Sequence, residues 1–127
     1  MSAWKVLVVG DTENGTISDT LLDWGIHVIR CRRVSEASKI LGEQAVAQIF
    51  CDAKLPDGNY RDVVAMARSV QPKTRVVVLM PNGSAEHSFQ EAILAGAFDS
   101  IPSPAGRPDV QWEVLQAMRE SSQGRVV

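Results

Sequence analysis

The feature that most constrains the fold of this chain is one stretch, QIFCDAKLPDG, at residues 48–58. Its short apolar run is typical of a strand that is buried on both faces of a parallel sheet. The run ends at Asp52, and Pro56 and Gly58 then predict a loop before the next helix. Open α/β sheets bind their ligands at the carboxyl ends of central strands. We therefore expect Asp52 to lie at a functional site.

Similar apolar runs alternate with segments of helical periodicity along the rest of the chain. Strands are predicted at residues 6–9, 27–30, 47–51, 75–80 and 98–101, each followed by a predicted helix. This alternation predicts an α/β, flavodoxin-like (βα)5 three-layer sandwich with a parallel five-stranded sheet. The second strand is more polar than the first, which places it nearer an edge and favours the strand order 2-1-3-4-5.

Two local predictions concern the second helix and the tryptophans. Ser35 is predicted to be the N-cap of that helix, because its hydroxyl can accept a hydrogen bond from a backbone N–H group. Trp4, Trp24 and Trp112 are interpreted as packing residues, since no basic residues are interleaved with them as on a nucleic-acid stacking surface.

Length and charge limit the classes of protein to which the chain can belong. Its 127 residues predict a single domain, 1–127, with a polar tail from about residue 121. The formal net charge of -2 argues against nucleic-acid binding through bulk electrostatics. No apolar run approaches the ~20 residues of a membrane span, and the N-terminus lacks the apolar segment of a signal peptide. We expect a cytoplasmic protein without membrane contact, in which Cys31 and Cys51 are buried or half-buried, reduced thiols.

A second acid, Asp11, follows the first predicted strand. The strand order 2-1-3-4-5 makes the first and third strands neighbours, so Asp11 and Asp52 are expected to converge. Two carboxylates with open coordination positions suit Mg²⁺, which keeps several waters and takes one or two carboxylates. Alternatively, both acids accept hydrogen bonds from nearby backbone amides and bind no metal. Their position alone does not decide between a metal site and a pair of capping acids.

Four short motifs follow one another along the chain: VLVVGD at 6–11, SEA at 35–37, CDAKLPDG at 51–58 and AGAFD at 95–99. In this order, and on these elements, they resemble the motifs of response-regulator receiver domains over nearly the whole chain. The resemblance implies a non-enzymatic role in phosphorelay signal transduction, with Asp52 as the phospho-acceptor. It also implies Mg²⁺ bound by Asp11, Asp52 and the carbonyl group of Lys54.

The resemblance also implies partners. A histidine kinase or another signalling protein would act on the domain, and an output domain would follow if the chain is part of a longer protein. A homodimer through the face formed by the fourth helix, the fifth strand and the fifth helix is a further candidate assembly. Direct contact with nucleic acid or with a membrane is not expected of this domain.

The chain departs from the family pattern at several positions. Gly10 occupies a place where the family usually carries an acid, and the loop that follows is shorter than usual, so Mg²⁺ binding is expected to be weak or absent. The family's switch hydroxyl falls on Met80 or Pro81, and neither side chain carries one. Its switch aromatic falls on Ser100 and its lysine on Ser103, which cannot supply a cation.

Three hypotheses follow from this combination of motifs and departures. We favour an atypical receiver that acts mainly as a protein-interaction module, because each lost charge-assisted bond forgoes about 1.5–3 kcal/mol of discrimination between phosphorylated and free states. The alternative is a functional receiver that a histidine kinase phosphorylates and switches. The third is a flavodoxin-like domain that binds a small ligand, although Gly10 and Gly15 lie in no dinucleotide-binding or P-loop pattern.

Overall fold

The computed structural model describes residues 4–11, 15–81 and 86–123. In chain order the elements are β1 (Lys5–Val9), α1 (Thr16–Asp23), β2 (His27–Cys31), α2 (Val34–Glu43), β3 (Gln48–Asp52), β4 (Lys54–Leu55), β5 (Gly58–Asn59), α3 (Tyr60–Val70), β6 (Arg75–Pro81), α4 (Glu86–Ala95), β7 (Asp99–Ser103) and α5 (Arg107–Gln123). None of the helices in these ranges is both long enough and apolar enough to cross a membrane.

The central sheet confirms the predicted topology. Its five strands lie in the order β2-β1-β3-β6-β7, and every neighbouring pair is parallel. Counted without the two shortest strands, this is the order 2-1-3-4-5. Those short strands, β4 and β5, form a separate antiparallel hairpin in which Lys54 pairs with Asn59. The sequence had indicated only a loop there, because two-residue strands carry no periodicity.

Two apolar cores, one on each face of the sheet, make the three layers. Successive side chains of a strand point to opposite faces. Leu7 and Val9 therefore pack in one core with buried residues of α2, α3 and α4. Val6 and Val8 pack in the other core with buried residues of α1 and α5.

Helix α2 begins earlier than predicted, and its cap comes from another part of the chain. The helix starts at Val34 after Arg33, whose side chain makes no capping hydrogen bond. Instead, the Asp57 carboxylate in the β4–β5 turn accepts hydrogen bonds from the backbone N–H groups of Val34 (2.7 Å) and Ser35 (3.1 Å). The prediction of Ser35 as N-cap is wrong, because an acid from the hairpin satisfies the free donors of the first turn.

The tryptophan predictions hold for only one of the three residues. Trp4 is half-buried and packs against the core formed with α1 and α5. Trp24 is 42% exposed and Trp112 is 57% exposed, so the interpretation of these two as packing residues is wrong. On α5 the fully buried Val110 and Val114 define the inward face. Trp112 lies midway between them in sequence and therefore on the opposite side of the helix.

Candidate functional site

Asp52 is the last residue of β3 and lies at the carboxyl edge of the sheet, as predicted. It pairs in register with Leu79 of β6, and the backbone N–H of Ala53 donates to the Leu79 carbonyl over 3.2 Å. The residue is only 4% exposed. A buried carboxylate needs hydrogen-bond donors or a cation, so its partners determine the chemistry of the site.

Gly10 brings the backbone after β1 directly against this carboxylate. Its N–H donates to the carbonyl of Cys31 over 2.8 Å, and its φ of +124° lies in the region that glycine adopts most readily. A Cβ atom at this position would overlap the side chain of Asp52. The position that the resemblance gives to a second acid therefore has no room for a side chain in this conformation.

The structure brings Asp11 and Asp52 together through the backbone of Asp11. The Asp11 N–H donates a hydrogen bond to Oδ2 of Asp52 over 3.1 Å. The Asp11 carboxylate instead pairs with Arg32 at the end of β2, with Nη2 and Oδ2 separated by 2.9 Å and both side chains largely exposed. Exposed pairs of this kind contribute about 0–1 kcal/mol. At this edge of the sheet Asp52 is therefore an acid that accepts a backbone hydrogen bond, and Asp11 and Arg32 form a surface ion pair beside it.

These contacts do not fit a preformed Mg²⁺ site. One oxygen of Asp52 accepts a backbone N–H, and the Asp11 carboxylate is already paired with a guanidinium. No group of three or more histidine, cysteine, aspartate or glutamate side chains within the described ranges could hold a metal ion. Lys54 lies in the hairpin after Asp52, with its side chain exposed, and the role of its carbonyl as a metal ligand stays a prediction.

The positions that the resemblance gives to the switch residues lie on β6, which pairs with β3, and on β7, the edge strand beyond β6. Met80 pairs with Pro102 and Pro81 pairs with Ser103 across β6 and β7. Met80 and Ser103 are half-buried, and Pro81 is exposed. Ser100 pairs with Val78, and its backbone N–H donates to its neighbour Asp99 over 2.8 Å. At the position that the resemblance gives to the switch hydroxyl the side chain is a thioether or a pyrrolidine ring, and at the position that it gives to the lysine the side chain is a short hydroxyl.

Both cysteines are free and buried, as predicted. They pair in register with Val9 from opposite sides of β1. Burial is the main cause that raises the pKa of Cys31 to about 11, and it also raises the pKa of Cys51. Both thiols are protonated at neutral pH and contribute packing rather than reactivity.

Sequence reasoning missed two residues of this region, Asp57 and Arg32, and a buried acid at the opposite end of β3, Glu113. Asp57, in the LPDG part of the phospho-acceptor motif, joins the hairpin to α2, and the two backbone donors hold its pKa below the ordinary value. Arg32, which pairs with the Asp11 carboxylate, was not identified as a residue of the site. Glu113 is a fully buried acid on α5. Its signal was present, since an acid stands next to Val114 within the apolar spacing of the last helix.

The fold and the position of Asp52 together define a class of protein. Its members are doubly wound α/β domains with a five-stranded parallel sheet and an acid at the carboxyl end of β3. No protein-family model matches the chain. The response regulator protein PilR of Pseudomonas aeruginosa is 30% identical over 121 residues, which cover 94% of this chain and 27% of PilR. The photosynthetic apparatus regulatory protein RegA of Rhodobacter capsulatus is 34% identical over 77 residues, covering 61% of this chain and 41% of RegA.

Solved structures show the same fold. A CheY-like receiver domain protein from Methanospirillum hungatei JF-1 has a TM-score of 0.84 at 19% identity, with 97% of this chain and 99% of that chain covered. The beryllofluoride-activated NtrC4 receiver domain dimer has a TM-score of 0.80 at 24% identity, with coverages of 91% and 97%. A Burkholderia pseudomallei response regulator, solved with a phosphorylated aspartic acid, calcium ion and citrate, has a TM-score of 0.76 at 22% identity, with coverages of 97% and 74%.

The chain belongs to the response-regulator receiver family of two-component signalling. It spans about a quarter of PilR and less than half of RegA, the curated relatives that it matches.

Proposed function

We propose that this receiver is an atypical one, which acts mainly as a protein-interaction module and responds little to phosphorylation of Asp52. The observation that carries the proposal is the packing around Asp52. Its Oδ2 accepts the backbone N–H of Asp11, and Gly10 lies directly against its carboxylate. The loop thus stabilises Asp52 with the protein's own donor and leaves little room for an acid side chain beside it.

The residues that would read out a phosphoryl group support the same proposal. A phosphoryl oxygen is stabilised by hydrogen bonds from a charged group and from a hydroxyl. Met80 and Pro81 carry no hydroxyl, and Ser103 carries no positive charge. A ligand shifts a two-state equilibrium only by its differential affinity for the two states. With these donors replaced, the phosphorylated and free forms differ little in contact energy.

Weak or absent Mg²⁺ binding is part of the proposal. A divalent cation would have to compete with Arg32 for Asp11 and with a backbone N–H for Asp52. The exposed ion pair is a small obstacle, whereas the buried Asp52 already uses Oδ2 to accept a backbone N–H. The Asp52 packing therefore contributes more to the expected weakness than the Arg32 contact does.

Candidate partners are a histidine kinase or another signalling protein, and an output domain carried by a longer chain, since PilR and RegA are longer. A homodimer through the face of α4, β7 and α5 is a further proposal. Phe89, Ile93 and Leu94 of α4 are exposed apolar residues that such a contact would cover. NtrC4, a structural neighbour, forms a receiver domain dimer. The proposed role is non-enzymatic, cytoplasmic and independent of direct nucleic-acid or membrane contact.

Light scattering on the size-fractionated protein tests the proposal. We expect the molecular mass to be the same with and without beryllofluoride and Mg²⁺, in the wild type and in the Asp52→Asn variant alike. A beryllofluoride-induced change in mass that Asp52→Asn abolishes would contradict the proposal and support the alternative, a receiver switched by phosphorylation.

A further inference from the structure

Glu113, in the middle of α5, is an ionisable residue placed inside the protein. Its side chain is 1% exposed. The Gln48 amide of β3, which is also fully buried, donates from Nε2 to the backbone carbonyl of Glu113 over 3.1 Å. Oε1 of Glu113 and Oε1 of Gln48 have no hydrogen-bond partner within the described residues. The carboxyl group of Glu113 therefore lies in a pocket that provides little polar compensation.

The charged groups that face Glu113 are acids. Asp99 of β7 faces the Glu113 side chain within hydrogen-bonding reach, and Asp109 lies nearby on α5 itself. From β3 the facing polar group is the uncharged Gln48. In the part of the chain that the structure describes, no lysine or arginine forms an ion pair with Glu113. Two carboxylates cannot hydrogen-bond to each other without a proton, because ionised carboxylates are acceptors only.

We propose that Glu113 and Asp99 form a proton-binding site that couples the packing of α5 against β7 to protonation. Protonated Glu113 donates its hydroxyl to the Asp99 carboxylate, which joins the helix to the edge strand of the sheet. When Glu113 releases this proton to solvent, the donor is lost and two like charges face each other in a buried position. The contact between α5 and β7 then changes from attractive to repulsive.

The position of this pair gives it a consequence for binding. Asp99 opens β7, the strand that also carries Ser100 and Ser103, and Glu113 is buried beneath α5, so the pair lies directly behind two elements of the face of α4, β7 and α5. Burial, and then the neighbouring Asp99, raise the pKa of Glu113 to about 9. A partner that binds this face more tightly when Glu113 is protonated would shift the protonation equilibrium of Glu113. Protonation would in turn change the affinity for the partner by the same factor. Only this link to partner binding rests on the proposed function.

A pH titration by NMR tests the site directly. The side-chain carboxyl carbon of Glu113 should titrate with a midpoint near pH 9. The amides of Ser100 and of the α5 residues around Glu113 should shift with the same midpoint. Glu113→Gln should abolish the amide transition, and Asp99→Asn should move the Glu113 midpoint to lower pH. Glu120→Gln, which removes an exposed acid from the same helix, is the matched control and should leave the midpoint unchanged.

Titration of the Glu113 carboxyl carbon below pH 6 in the wild type would overturn the proposal, whether or not the variants fold. An unchanged amide transition in Glu113→Gln would overturn it as well. The same titration in Asp52→Asn separates the two proposals, because the midpoint near pH 9 is expected there regardless of how Asp52 behaves.

Discussion

The backbone N–H of Asp11 donates a hydrogen bond to Oδ2 of Asp52 over 3.1 Å, while the Asp11 carboxylate pairs with Arg32. The two acids at the carboxyl edge of the sheet are therefore neighbours in space without acting together as a pair of carboxylates. This relationship depends on Gly10, which allows the backbone to approach Asp52 closely enough for Asp11 to donate.

The first prediction concerns that glycine. Gly10→Ala should lower the free energy of unfolding by at least about 1–2 kcal/mol, because an L side chain disfavours positive φ and its Cβ would overlap Asp52. Urea unfolding measures the change. Gly42→Ala in α2 is the control, since nothing lies within 4 Å of its Cβ position, and it should stabilise the protein by roughly 0.5–1 kcal/mol. A cost at Gly10 no larger than the experimental error would contradict the described packing.

The second prediction concerns Mg²⁺. We expect little saturation of the wild type at about 1 mM Mg²⁺, because one oxygen of Asp52 already accepts the Asp11 N–H and the Asp11 carboxylate pairs with Arg32. Arg32→Gln should strengthen binding by no more than about 5-fold, since an exposed ion pair is worth about 0.2–1 kcal/mol. Calorimetric titration measures the Mg²⁺ affinity of the wild type and of Arg32→Gln, and Arg33→Gln is the control at the neighbouring position. Asp11→Asn should change the Mg²⁺ affinity little. Tight, Asp11-dependent Mg²⁺ binding in the wild type would show that the site is preformed after all.

The third prediction concerns the cap that Asp57 provides to α2. Asp57→Ala should destabilise the protein and accelerate hydrogen exchange at the amides of Val34 and Ser35, whereas Asp57→Asn retains an acceptor oxygen and should lose less. The pKa of Asp57 is lowered in the folded state. Its stabilising contribution is therefore present above the ordinary carboxyl pKa and is lost as the pH falls through the folded-state value. Equal unfolding free energies for Asp57→Ala and wild type at pH 7 would exclude this role.

The fourth prediction concerns the pH dependence of stability. The folded-state pKa of Glu113 is about 9, above its ordinary value of 4.5, so the folded state holds a proton that the unfolded state releases. This contribution is fully present below about pH 4.5 and is lost as the pH rises towards 9. Glu113→Gln should therefore be more stable than the wild type at pH 8, by about 1–3 kcal/mol, and similar to it at pH 4. A variant that is equally destabilised at both pH values would contradict this linkage.

The sequence predicted the sheet and the position of Asp52 because both depend on local patterns. Buried runs and helical periodicities alternate, and the acid directly follows its strand, so the topology places Asp52 at the carboxyl edge. It did not predict the cap of α2, because Asp57 lies 23 residues away from the Val34 amide that it binds. A hydrogen bond between distant elements leaves no periodic signal in the sequence.

The site itself was predicted only in part, for a related reason. The predicted strand order made Asp11 and Asp52 neighbours, but which atoms of Asp11 face Asp52 depends on the backbone conformation at Gly10. Trp112 was interpreted as a packing residue because no basic residues are interleaved with the tryptophans, although its spacing from Val110 and Val114 places it on the outer face of α5. Size and hydrophobicity alone do not determine burial.

The central claim, that Asp52 does not act as a switch, is tested most directly by amide chemical shifts over residues 86–120. Spectra are recorded with and without beryllofluoride at saturating Mg²⁺, for the wild type and for Asp52→Asn. We expect any shifts to be confined to the surroundings of Asp52, with the face of α4, β7 and α5 nearly unchanged, because Met80, Pro81 and Ser103 cannot read out the ligand. Large, saturable shifts across that face that disappear in Asp52→Asn would contradict the account and identify a receiver that phosphorylation switches.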